Sequence, residues 1–134
     1  MPAGMTKTDS YEIDRLPVNT AIGYMSPPPG KKIPNTSEQP ARGSSAGGGY
    51  STVKDMLKFS EALRTGKLVI PDDNGSFPSD FVNAGFAGGS PGVNSIFIVT
   101  GKAGYTIIVL SNFDPPAAEK PGTTIRDWVK QLKN

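Results

Sequence analysis

Ser51, Thr52, Val53 and Lys54 form a Ser-x-x-Lys tetrapeptide. On a helix, positions i and i+3 share a face, so this spacing can bring a lysine amine to a serine hydroxyl. A lysine held close and partly desolvated loses pKa and can take the hydroxyl proton. A helix N-terminus also favours the negative charge that develops there. This is the sole nucleophile–base spacing of that kind in a chain with no His and no Cys. Without His the usual general base is missing, and a Ser-His-Asp triad is impossible. Without Cys there are no disulfides, thiolate zinc sites or cysteine nucleophiles. The same residues also have a plain structural reading, in which Ser51 and Thr52 cap a helix and Lys54 points to solvent.

The second candidate is the run Gly85-Phe86-Ala87-Gly88-Gly89-Ser90-Pro91-Gly92. Glycines allow close backbone approach and unusual dihedrals. A strand carrying them can lie against a ligand, because no side chain blocks its amides. Gly88, Gly89 and Ser90 are the binding candidates, against the alternative of a strand that merely permits tight packing. Asp72, Asp73 and Asn74 make an oxygen-rich cluster, but the spacing does not match a calcium loop and reads as a turn. No metal or cofactor is expected.

Periodicity supplies the elements that position these groups. A short strand is expected around Ala21 to Met25, followed by a low-hydrophobicity loop over 26–43 with Lys31-Lys32. A helix should start near Thr52, where Thr52 and Asp55 make a Thr-x-x-Asp cap. Val53, Met56, Leu57, Ser60 and Leu63 recur at helical spacing, and Gly66 is a stop. Strands are expected at about 81–87, 94–99 and 105–110, the last two joined by a Gly-containing hairpin. Tyr105 to Leu110 is apolar nearly throughout. A last helix is expected over 124–133, capped by Thr124 and Asp127, with Pro121-Gly122 keeping it from starting earlier. Its stripe Ile125, Trp128, Val129 and Leu132 should face the sheet and bury Trp128. The fold class is α+β: a three-stranded antiparallel sheet with a C-terminal covering helix, one further helix at its edge, and long loops.

The chain has 134 residues, 36% of them hydrophobic, with 16 Gly and 13 Pro. That bounds it to one domain, 1–134, rich in loops. A net charge of +2 gives no nucleic-acid footprint. No stretch approaches the roughly 18 apolar residues of a membrane span, and no apolar signal core opens the chain.

Several segments, in order, resemble the serine β-lactamase-like family of class C β-lactamases, penicillin-binding proteins, D-aminopeptidases and esterases. Met1 to Ser10 looks like its "PLGM-x-x-T" segment, and Ala21-Ile22-Gly23-Tyr24 like its "A-x-G-Y" strand. Ser44 to Phe59 resembles "SAGGLYSTxxDLxKF", and Gly104 to Ala118 the final strand. The glycine run resembles the substrate-lining strand, where Gly-His-Thr-Gly-Gly or Lys-Thr-Gly is usual and Phe86-Ala87 stands here. All these segments belong to the family's C-terminal half. The N-terminal half would carry the nucleophile helix and a Tyr-x-Asn loop, and neither stands at its expected place. Tyr50 matches the aromatic of "GLYST", a packing position. The chain therefore reads as a fragment, or as a protein built from that half.

The resemblance implies a backbone oxyanion donor at Gly88-Gly89 and a small ester or β-lactam ligand. Two readings follow. One is a scaffold with little or no intrinsic catalysis, associating with itself through the strand at 104–111, whose edge the family's N-terminal strands would pair. The other is a small serine hydrolase with Ser51 as nucleophile and Lys54 as base.

Overall fold

Apolar alternation after the glycine run builds the sheet. The computed structural model describes residues 2–27, 31–68, 85–100 and 104–132. Strands β3 (Gly85–Ser90), β4 (Val93–Thr100) and β5 (Tyr105–Ser111) form an antiparallel sheet in the order β3-β4-β5. Phe97 pairs with Phe86 on one side and Ile108 on the other. The first strand runs further than expected, through Gly88, Gly89 and Ser90. Residues 81–84 of the expected strand, and the cluster Asp72, Asp73 and Asn74, lie outside the described residues. Two more strands, β1 (Tyr24–Met25) and β2 (Ile33–Pro34), make a small antiparallel sheet. The second of these falls inside the segment expected to be loop.

Helix α1 (Val53–Arg64) begins as its sequence demands. Thr52 is extended at φ −123°, and its hydroxyl accepts from Asp55 N at 3.2 Å. It ends in a Schellman motif. Gly66, at φ +70°, donates to Leu63 O, and Lys67 donates to Ala62 O. The helix rests against β5, where Ser60 and Thr106 hydroxyls lie 2.7 Å apart, and Phe59 meets Phe97. Its buried face is Ser60, Ala62 and Leu63, while Val53 and Leu57 of the expected stripe stay exposed.

Helix α2 (Glu119–Gln131) covers β4 and β5 from the other face of the sheet. Side chains alternate along β4, so Asn94 and Ile96 point to α2, and Phe97 points to α1. The helix starts five residues earlier than Thr124. Pro121 does not delay it, because a first-turn residue has no intrahelical acceptor for the N–H that proline lacks. Thr124 does not cap; its hydroxyl donates to Lys120 O. Ala118 N and Glu119 N donate instead to Asn94 Oδ1, so a strand residue caps the helix.

The expectation for Trp128 fails. It is 61% exposed, and Leu132 is 77% exposed. What lies on the sheet is Ala118 and Gly122, both buried. A Cβ at Gly122 would stand 2.3 Å from Ile96 Cγ2, so the helix seats on its glycine. The early start and this small-residue contact rotate the large apolar residues off the sheet.

Candidate functional site

Strand β3 brings Gly88, Gly89 and Ser90 together at one edge of the sheet, with Gly88 and Gly89 exposed. Both glycines have a packing reason. A Cβ at Gly88 would meet Ser95 Oγ at 2.9 Å, and one at Gly89 would meet Pro115 Cγ at 2.8 Å. Asn94 Nδ2 donates to Gly88 O at 3.0 Å and to Glu119 Oε1 at 3.0 Å, and so orients the strand from beneath. Gln39 Nε2 reaches Ser90 Oγ at 3.4 Å. Phe86, where the polar pair of the resembled strand begins, is 54% exposed and stacks on Phe97. The strand thus offers backbone and an apolar side chain.

Ser51 precedes α1, half-buried against the N-terminal segment. Its hydroxyl lies 2.8 Å from Thr8 Oγ1 and 3.5 Å from Thr52 O. Lys54 is exposed in the first turn of α1. Among the described residues no hydrogen bond joins Lys54 to Ser51, and none joins either of them to Gly88, Gly89 or Ser90. Tyr50 is tilted against Tyr11 at 6.0 Å between ring centroids and exchanges backbone hydrogen bonds with Asp9. Its place is in packing, as its position suggested.

Two carboxylates, Asp55 and Asp114, make long-range hydrogen bonds that no local sequence pattern contains. Asp55 is buried, with Oδ2 accepting from Lys7 N at 2.6 Å and Thr8 Oγ1 at 3.0 Å. Lys58 Nζ lies 3.0 Å from Oδ1. Burial alone would raise its pKa. The Lys7 amide, then the Lys58 and Thr8 hydrogen bonds and the Lys58 charge outweigh it, and hold the carboxyl below its usual value. Asp114 accepts from Gly92 N and Ser26 N, both at 2.7 Å, tying the β3–β4 turn to the chain leaving β1. These partners lie 22 and 88 residues away in the sequence.

A shallow groove of about 440 Å³ is lined by Glu12, Ile13, Asp14, Ala41 and Arg42. It includes none of the candidate residues. No cluster that could hold a metal ion occurs among the described residues. No helix among them is long and apolar enough to cross a membrane.

No family model matches the chain, and no curated protein matches it. A solved structure does: the penicillin binding protein from Bacillus halodurans superposes with a TM-score of 0.76 at 22% identity. The match covers 98% of this chain and 45% of that one, so this chain spans less than half the length of the structure it resembles. The likeness establishes the fold. The two helices and the three-stranded sheet are part of a penicillin-binding-protein-like architecture.

Proposed function

We propose that this chain is a β-lactamase-like scaffold with little or no hydrolysis of its own, which presents the Gly88–Ser90 strand and associates with itself through β5. The observation that carries it is the outer edge of β5. Among the described residues no strand pairs with it. Tyr105 to Ser111 carries no charge and no proline, the usual protections of a free edge. A second copy related by a two-fold axis would pair that edge and make a continuous six-stranded sheet from two three-stranded ones.

Weak intrinsic chemistry follows from the surroundings of Ser51. An attacking serine needs a base within roughly 2.6–3.2 Å. The group at that distance is the Thr8 hydroxyl, which is no base at neutral pH. β3 is an edge strand whose alternate amides face away from β4, so one backbone N–H of the Gly88–Gly89 pair would polarise a carbonyl, and a small ester or β-lactam is the ligand class for β3.

Light scattering at micromolar concentration tests the association. The expected mass is twice 14.1 kDa. Leu110, 42% exposed on this edge strand, is the residue to charge, and Leu110→Lys should return the monomer. Ile107 is unsuitable for that purpose because it is buried under α2. Nitrocefin and p-nitrophenyl acetate test the chemistry, with turnover expected at background. Turnover above background that is lost in Ser51→Ala and in Lys54→Ala would instead establish a serine hydrolase using that pair.

A further inference from the structure

The exposed flank of α2 is organised. With about 100° per residue, Glu119, Lys120, Arg126, Asp127 and Lys130 all fall within one arc of about 120°. Ile125, Trp128 and Leu132 lie within about 60° of one another on the other side. Their exposures are 37%, 61% and 77%. One flank of this helix therefore places three large apolar side chains side by side in solvent, which scattered surface hydrophobics do not explain.

Glu119 Oε1 is held by Asn94 Nδ2, which also binds Gly88 O on β3. The Glu119 side of α2 thus faces β3. Trp128 follows nine residues later, about 180° around the helix. Its side faces away from β3, towards the edge of β5 that no strand pairs with among the described residues.

We infer that Ile125, Trp128 and Leu132 are the helical half of a two-fold interface, buried by the same flank of a second copy. This rests on the self-association through β5 proposed above. Neighbouring strands lie about 4.8 Å apart, and α2 lies across β4 and β5. A helix over that seam stands roughly 5 Å from an axis placed just outside β5. The axis is perpendicular to the sheet, so it keeps both copies of α2 on one face, about 10 Å apart. That is the spacing at which helices pack, and Ala118 at Asn94 with Gly122 at Ile96 shows α2 running along β4, so the two would pack antiparallel. On the other face, α1 touches β5 near Thr106. With the axis at Ile108, the centre of β5, the two Thr106 residues stand about 14 Å apart, which leaves room for both copies of α1. The occupant is a second copy because the flank and the strand edge are both uncharged, so a copy meets its like without repulsion. Trp128 contributes on the order of 100–150 Å² of new burial.

Trp128 is the single tryptophan of the chain, so its fluorescence reports this contact alone. Emission maximum and acrylamide quenching are followed through a dilution series beside sedimentation mass. On dissociation, emission should move to longer wavelength and quenching rise in step with the fall in mass. Leu132→Asp, at an exposed position, should raise the dimer dissociation constant about tenfold or more. A dimer whose Trp128 emission and quenching do not change on dilution overturns this inference and leaves strand pairing standing. A monomer throughout, with Trp128 freely quenched, overturns both.

Discussion

Asn94 and Asp55 are the largest fully buried side chains among the described residues, and both are polar. Each serves a backbone other than its own. Asn94 accepts from Ala118 N and Glu119 N and donates to Gly88 O, so Asn94→Ala leaves three backbone groups without their partner. It should cost about 3 kcal/mol in chemical denaturation, since one unsatisfied buried group costs roughly 1–3 kcal/mol. A loss under about 1 kcal/mol would mean that water replaces the amide. Asp55 links stability to pH. Its folded pKa is depressed, so its contribution is fully present above the ordinary carboxylate value of about 3.9 and is lost as pH falls through the folded value. The gap in melting temperature between wild type and Asp55→Asn should be widest at neutral pH and shrink below about pH 4. An equal gap at both ends would separate Asp55 from the linkage.

Helix α2 shows how a small residue sets the aspect of a whole element. Gly122→Ala gains about 1 kcal/mol of helix propensity, but its Cβ would collide with buried Ile96. Overpacking costs roughly 1–3 kcal/mol, so the net effect should be destabilising. Ile96→Ala in the same chain should lower that penalty in a double-mutant cycle, because it removes the colliding methyl. Trp128→Ala behaves differently. With 61% of the residue in solvent, the monomer should lose less than about 1 kcal/mol, far from the roughly 3–5 kcal/mol of a core tryptophan. Urea unfolding at a concentration where the protein is monomeric distinguishes the two values.

At the scale of the molecule, the apolar residues divide unevenly. Among the described residues, Ala62, Leu63, Ile96, Phe97, Val99, Ile107 and Ala118 form the buried core, while eleven large hydrophobics are exposed. Association would enlarge the apolar surface that these described residues remove from water. The surfaces proposed to meet carry no charge, so the dimer should be insensitive to salt. Screening weakens interfaces held by ion pairs, whereas apolar burial does not depend on it. Sedimentation at low and at about 1 M ionic strength should give the same dissociation constant within a factor of about three. Dissociation by salt would point to an interface elsewhere.

Local chemistry was legible in the chain. The Thr52 cap, the Gly66 stop and the apolar run of β5 act between residues a few positions apart, and each formed where its spacing placed it. The order of strands followed as well, since short connections make consecutive strands neighbours. The α2 start did not, because its cap is Asn94, 24 residues away on β4, and no local window contains that hydrogen bond. Nor did the aspect of α2. Its stripe of Ile125, Trp128, Val129 and Leu132 has the period of a buried face, yet the face that docks is chosen by how closely the backbone can approach Ile96, and Gly122 allows the closest approach. Periodicity states that a helix has an apolar side; only packing against a particular sheet decides which surface that side covers. The Ser51–Lys54 spacing illustrates the same limit. Three residues of separation permit contact on a helix, but the tertiary structure set Thr8 against Ser51 and left Lys54 in solvent.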